Sequence, residues 1–200
     1  MPSLVPPVIA AGSLNNVPQP VLKAEPDLVM RPWTRADAPV ILDAYSDPAV
    51  RHWAVHSVDT IAEAERLIDG YAEGWRTESS ANWAVVTAAG EVLGRVALRA
   101  IDREMGQGEV AYWMLAAARG RGAATAAVRA LSAWAFEAGI HRLFLMHSTR
   151  NEVSCRVAQK AGFMPEGTER SSILHTDGWH DMHIHALINP LPEIGFQPRP

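Results

Sequence analysis

Two hundred residues with 48% hydrophobic and 20% charged side chains describe a globular chain of one domain plus an extension, not a disordered one. A net charge of -4 offers no basic field for nucleic acid, and a single cysteine, Cys155, excludes an intrachain disulfide and a CxxC metal site. No apolar run nears the roughly 20 residues that span a bilayer, and the start of the chain lacks a signal-peptide pattern, so a cytoplasmic protein with no membrane or nucleic-acid partner is expected.

Residues 1–26 read as a Pro-rich arm, interrupted by Pro2, Pro6, Pro7, Pro18, Pro20 and Pro26. Proline removes a donor and fixes φ, which predicts neither a helix nor a central strand there, but an arm that is flexible or strapped down. Its Leu4, Val5, Val8 and Ile9 are free to pack on the domain or on a second subunit, which leaves a homodimer open. The domain proper is expected over 27–189, followed by a Pro-rich tail at 190–200. Residues 28–33 predict its first strand. Residues 36–45 predict a helix capped by Thr34 and ended by Asp47-Pro48. A second helix is predicted over 60–75, with Ile61, Ala64, Leu67, Ile68 and Tyr71 as its apolar face. The linker between them, Arg51-His52-Trp53-Ala54-Val55-His56, reads as substrate-facing or as ordinary packing. Residues 83–86 and 92–100 then predict an antiparallel hairpin, with Arg95 and Arg99 on its exposed face.

The chain is organised around residues 108–163. A fourth strand, Val110-Ala111-Tyr112-Trp113-Met114-Leu115, leads into the turn Arg119-Gly120-Arg121-Gly122-Ala123-Ala124. Apolar residues then recur at Ala124, Val128, Leu131 and Ala135, a helical spacing that Gly139 ends. Leu143-Phe144-Leu145-Met146, apolar on both faces, predicts a buried fifth strand. Strand, turn, helix and strand make a right-handed βαβ crossover with parallel strands. Helix-opening amides lack intrahelical acceptors and carry partial positive charge. Gly120 and Gly122 let the backbone curl around a bulky anion, and Arg119 and Arg121 add charge, so the turn predicts a diphosphate cradle. It is not a Walker loop, which needs Lys-Ser/Thr where Ala123-Ala124 stand, nor a dinucleotide fingerprint, which needs Gly where Thr125 stands.

Glu109 opens the fourth strand on the face of Ala111 and Trp113. A carboxylate there calls for a salt bridge or for a raised pKa suited to a general base. Asn151 predicts the N-cap of a helix with Val153, Val157 and Ala161 as its apolar face, closed by Gly162. Cys155, beside Ser154 on that helix, reads as core packing. A last hairpin is predicted from 170–175 and 179–188. Its His183 and His185 share a face that His180 does not, and no adjoining acid or cysteine completes a metal set, so no metal is expected.

The pattern Arg119-x-x-Gly122-x-Ala124 resembles the acetyl-CoA motif of the GNAT acetyltransferase superfamily. Asn151-x-x-Ser154 with Lys160-x-Gly162-Phe163, Leu28-Val29-Met30-Arg31-Pro32-Trp33 and Asp177-Gly178-Trp179-His180-Asp181 look like further segments of its Rim-type branch, the ribosomal-protein N-terminal acetyltransferases and their relatives. The resemblance covers roughly residues 27 to 188. It implies the GNAT fold, a mixed, strongly twisted α/β sheet of about seven strands with flanking helices, and acetyl transfer from acetyl-CoA as co-substrate to a primary amine in a ternary complex. The amine is either a peptide N-terminus or a small molecule such as an antibiotic. It also implies that Arg119, Gly120, Arg121, Gly122, Ala123 and Ala124 hold the diphosphate, that Met114, Leu115 and Asn151 hold the pantetheine arm, and that Glu109 accepts the proton. Many family members place a Tyr seven residues after the Asn to protonate the thiolate; Ala158 stands there, so Ser154 becomes the candidate acid. An acyl-CoA sensor without turnover is the alternative, and a general nucleotide-binding α/β protein the remoter one.

Overall fold

The computed structural model describes residues 4–24 and 27–190. A mixed sheet of eight strands runs through it in the order β1-β2-β3-β4-β5-β6-β8-β7. The strands are β1 (Leu22–Ala24), β2 (Leu28–Pro32), β3 (Ala81–Thr87), β4 (Val92–Asp102), β5 (Gln107–Met114), β6 (Arg142–Ser148), β7 (Met164–His175) and β8 (Gly178–Ile188). Every neighbouring pair is antiparallel except β5 and β6. The strand beyond the expected seven is β1, which occupies the stretch between Pro20 and Pro26 where consecutive backbone donors survive. It lies at the sheet edge, where proline-rich neighbours are tolerated.

Helices cover both faces. On one face α4 (Ala123–Glu137) and α5 (Glu152–Lys160) close a core that includes Val110, Leu143 and Leu145. On the other, α1 (Ala38–Ser46) and α3 (Ile61–Arg76) close a second core with Trp33, Ala84 and Val86, against which Trp113 packs. Thr60 caps α3 in a reciprocal box with Glu63, as Thr34 does with Asp37 for the 3-10 turn that leads into α1. The cationic and aromatic linker is itself helical, α2 (Pro48–Trp53). Pro48 takes the first position and the Asp47 carboxylate caps it through the Ala49 N–H at 2.8 Å. No helix among the described residues is long and apolar enough to cross a membrane.

Periodicity placed two of the three apolar residues of α5 and missed one. Ala161 is buried and Val157 packs half-buried on the core, but Val153 is 63% exposed, and Ser154 and Ala158 turn inward beside them. This aims a hydroxyl into the interior. The bend also brings Phe163 home: its N–H donates to the Ala158 carbonyl and the ring is 1% exposed.

The N-terminal arm is strapped down. Val8 and Ile9 donate to the carbonyls of Glu104 and Arg103, and Ile9 and Leu14 enter the larger core. Glu78 is the clasp, accepting the N–H groups of Gly12 and Leu14, each at 2.7 Å. Burial alone would raise its pKa, but these amides, that of Asn15 and the Arg103 charge outweigh burial and hold the carboxyl below its ordinary value. A depressed folded-state value gives stability that is present above the unfolded pKa and is lost as pH falls through the folded one. We therefore expect Glu78→Ala, which leaves the buried Leu14 donor and the part-buried Gly12 donor unmatched, to cost about 1–3 kcal/mol in urea unfolding at neutral pH. The same measurement in acid, below roughly pH 4, should show the difference shrinking; a gap independent of pH would contradict the clasp.

Candidate active site

The parallel pair β5–β6 is short. Its register runs Gln107↔Arg142, Gly108↔Leu143, Glu109↔Phe144 and then stops. Beyond that point β5 stays with β4 as far as Gly94↔Met114, while β6 stays with β8 as far as Ser148↔Met182. The two strands diverge, and a wedge opens with Glu109 at its apex. Inside it the β5 edge turns backbone groups toward the gap. The Leu115 N–H donates to Leu93 across β4 at 2.9 Å, so by strand alternation the amide and carbonyl of Tyr112 and Met114 face the wedge. Leu115, expected beside Met114 on the pantetheine arm, has both backbone groups committed, because its carbonyl accepts the Ala118 N–H.

At the wide end lies the glycine turn. Gly120 and Gly122 have φ of 75° and 82°, in the left-handed region, and a Cβ on either would meet only open space. The glycines are therefore required by the backbone and not by crowding. Gly122 caps α4, and the first helical bond is Ala126 N–H to its carbonyl. The amides of residues 120–125 have no acceptor among the described residues. Ala123 is buried and Ala124 half-buried, so both offer backbone only. Arg121 is exposed. Arg119 is not free: its Nε donates to the Met114 carbonyl at 3.1 Å and its Nη2 to Asp47 at 2.5 Å. It braces the turn against the end of β5 and the cap of α2.

Sheet parity divides the chemistry. Glu109 and Trp113 face α1, α2 and α3, whereas Val110, Tyr112 and Met114 face α4 and α5. On the first face Glu109 is held by Arg99, Nη2 to Oε1 at 2.6 Å, so the salt bridge anticipated as one of two readings is present. His52 and Trp53 of α2 approach His175 and His180 of the last hairpin, with Trp53 to His175 ring centroids 5.9 Å apart and Trp53 to His180 6.1 Å. His180 is buried, with Nδ1 2.8 Å from Ser148 Oγ and Nε2 2.9 Å from Asp177 Oδ1. His175 is also buried, and neither of its ring nitrogens finds a partner among the described residues. Burial, with help from the neighbouring His180, lowers its pKa below the ordinary histidine value. This wall of aromatic and imidazole rings suits an amine or ammonium group.

On the second face the hydroxyl of Tyr112 donates to Ser154 Oγ at 3.0 Å, bridging from β5 to α5. Burial pushes the Tyr112 pKa up to about 12, against a smaller lowering by Ser154, so the phenol keeps its proton throughout the neutral range. Asn151 caps α5 by accepting the Ser154 N–H at 3.1 Å. Tyr112 is a residue that sequence reasoning missed. It was read only as part of an apolar strand, and no spacing ties it to a serine 42 positions later. The expectation about histidines also changes: His183 and His185 do share a face away from His180, but Cys155 and His147 join them there.

Residues 27–164 match the family described as acetyltransferase (GNAT) domain. The probable N-acetyltransferase YjcK of Bacillus subtilis (strain 168) is 31% identical over 134 residues, 66% of this chain and 74% of that one. The putative ribosomal N-acetyltransferase YdaF of the same organism is 30% identical over 100 residues, 50% of this chain and 55% of that one. The fold is shared with the ribosomal-protein-S5-alanine acetyltransferase from Vibrio fischeri, with a TM-score of 0.78, 21% identity, and coverage of 90% of this chain and 100% of that one.

Asp47 has two tasks, capping α2 and anchoring Arg119. Burial would raise its pKa, but the Ala49 amide and Arg119 outweigh it and hold the carboxyl low. Asp47→Ala should therefore cost about 1 kcal/mol in chemical unfolding at pH 7. That cost is present above the unfolded value, about 3.9, and disappears as pH falls through the lower folded one. Unchanged stability at pH 7 would show that cap and brace contribute nothing.

Proposed function

The chain belongs to the GNAT acetyltransferase family and is an acetyl-CoA-dependent enzyme; from that premise we propose that it moves the acetyl group directly to a primary amine in a ternary complex. The observation that carries the reading is the wedge between β5 and β6 with a turn of unmatched amides at its mouth. The diphosphate of acetyl-CoA binds the amides of Gly120, Arg121, Gly122, Ala123 and Ala124, with Arg121 adding charge and Arg119 holding the turn in place. The pantetheine lies along the β5 edge at Tyr112 and Met114 as an added strand, sharing the Met114 carbonyl with Arg119. Asn151, with its side-chain NH2 directed by the cap geometry, serves the same arm.

The acceptor enters from the α1–α3 face. Its ammonium meets the rings of His52, Trp53 and His175, and loses a proton to Glu109 directly or through water before nitrogen attacks the thioester carbonyl. The Arg99 pair orients the Glu109 carboxylate for that transfer. When the tetrahedral intermediate collapses, the carbon–sulfur bond breaks and the thiolate leaves on the opposite face. Ser154 donates its proton to that thiolate and is resupplied by Tyr112, whose raised pKa keeps it protonated until then; the nitrogen sheds its second proton to solvent as the amide forms, and solvent reprotonates Tyr112. A relay of two hydroxyls thus replaces the tyrosine absent at Ala158. The names of the relatives favour a peptide N-terminus as acceptor, and the alternative of a sensor without turnover has no observation in its favour.

Thiol release from acetyl-CoA should be measured across a panel of N-terminal peptides, aminoglycosides and small amines. Gly122→Val forces a β-branched residue into left-handed backbone, a cost of about 1–2 kcal/mol or more, and should weaken CoA binding by calorimetry roughly tenfold or beyond. CoA affinity that ignores this change would sink the cradle. Ser154→Ala and Tyr112→Phe should each lower kcat by about 100-fold with little change in the KM for acetyl-CoA. Glu109→Gln should lower kcat/KM. If both hydroxyl variants retain full kcat, water protonates the thiolate and the relay is wrong.

A further inference from the structure

Beneath α5, on the face away from the amine, four donor groups from three elements converge. His147 comes from β6, Cys155 from α5, and His183 and His185 from β8; one ligand atom of each lies within 4.8 Å of all the others. We propose that these four residues form a site for a divalent transition-metal ion of the zinc type, which clamps α5 to β6 and β8. The site requires no acetyl transfer and stands or falls separately from it.

The distances are those of a site one small adjustment from closure. Zinc with nitrogen at about 2.05 Å and sulfur at about 2.3 Å, in a tetrahedron, sets N···N edges near 3.3 Å and N···S edges near 3.6 Å. The His147 Nε2 to His185 Nε2 separation is 3.1 Å, and Cys155 Sγ to His185 Nε2 is 3.9 Å. The two imidazoles do not stack face to face. Their centroids are 5.1 Å apart while the Nε2 atoms are 3.1 Å apart, so the rings meet corner to corner. Two nitrogens so placed need a proton or a cation between them.

The surroundings select the cation-ready tautomer. The His147 Nδ1–H donates to the Ser148 carbonyl at 2.8 Å, which leaves Nε2 with its lone pair toward the centre. A metal-bound histidine is typically oriented in this way by an outer carbonyl. At His185 the Nδ1 finds no hydrogen-bond partner among the described residues. Three imidazoles and a thiol with no carboxylate suit zinc and its neighbours, not magnesium or calcium. Access exists too: a pocket of about 240 Å3 is lined by Cys155, Gln159, Thr168, His183 and His185 among others. His147 and His185 are buried, whereas Cys155 and His183 at the mouth are half-exposed.

The test uses the full chain, stripped of metal by a chelator and titrated with cobalt(II) as a spectroscopic stand-in, then with zinc. The expected result is one cobalt per chain with the strong visible absorption of tetrahedral coordination and a near-ultraviolet sulfur-to-cobalt charge-transfer band. Zinc should displace it stoichiometrically and raise the midpoint of thermal unfolding. Cys155→Ser should abolish the charge-transfer band. His183→Gln, at a half-exposed position where folding is not at stake, should lower zinc affinity by at least the roughly 10- to 100-fold typical of losing an outer-sphere partner. His52→Gln and His175→Gln, on the opposite face of the sheet, should change neither. Thermal unfolding of each variant without metal separates lost ligation from lost folding. A weak octahedral spectrum without a charge-transfer band, affinity untouched by His183→Gln, or binding lost in His52→Gln would each overturn the site.

Discussion

One parallel strand pair that stops after three residues governs the rest of this structure. Parallel strands share evenly spaced hydrogen bonds, and nothing in their own backbones makes them part. The separation follows from their outer partners: β4 holds β5 through Met114, and β8 holds β6 through Ser148. Sheet twist accumulates in both halves, and the seam that is bonded least opens. The backbone groups of Tyr112 on the β5 edge are thereby left without strand partners among the described residues, while the Met114 carbonyl is met by Arg119. Such groups are costly to bury unless something else bonds them. A ligand with amide groups of its own satisfies that need, and this is why the wedge is read as the pantetheine slot.

Strand alternation then sorts the reaction. Glu109 and Tyr112 are three residues apart on β5 and so lie on opposite faces. In the proposed reaction the proton taken from an incoming amine and the proton given to a departing thiolate are thus assigned to separate compartments. The carboxylate beside Arg99 is suited to accept, and the phenol raised to about 12 is suited to hold its proton until sulfur needs it. The proposed roles follow from this arrangement of faces more than from any single residue.

The sequence disclosed what repeats or punctuates. Gly120 and Gly122 marked the turn because left-handed backbone leaves few alternatives. The capping residues Thr34, Thr60 and Asn151 marked helix starts because their side chains bond amides three residues on. Long apolar strands were visible through composition. What stayed hidden is what depends on register between distant segments. Helix α2 is six residues long, too short for periodicity, and its cap reads equally as a helix stop. The edge strand β1 exists only because β2 lies beside it. Tyr112 meets Ser154, and His147 meets His185, across separations of 42 and 38 positions that no local pattern encodes. Arg119 looked like a free charge for phosphate because its partner, Asp47, sits 72 residues earlier. The apolar count on α5 slipped at its first turn for a related reason: a polar Ser154 faces inward in place of Val153, which a hydrophobic count cannot anticipate.

That slip bears on how α5 is held. The residues fully buried along it are Ser154 and Ala158, with Val157 half-buried and Ala161 buried at its end, small side chains that bury little apolar area. Apolar packing alone is a weak anchor for a helix whose first turn must present Asn151 and Ser154 to a thioester. Polar contacts make up the difference at three points: Tyr112 at its start, the Arg129 guanidinium on the Lys160 carbonyl at its end, and the imidazoles facing Cys155 in its middle. The first two are hydrogen bonds that water can replace. A thiolate and three imidazoles around one cation are far harder to exchange, because coordination bonds fix distance and direction together. A metal in that position would set the rotation of α5 about its own axis, and with it the direction in which the Ser154 hydroxyl points.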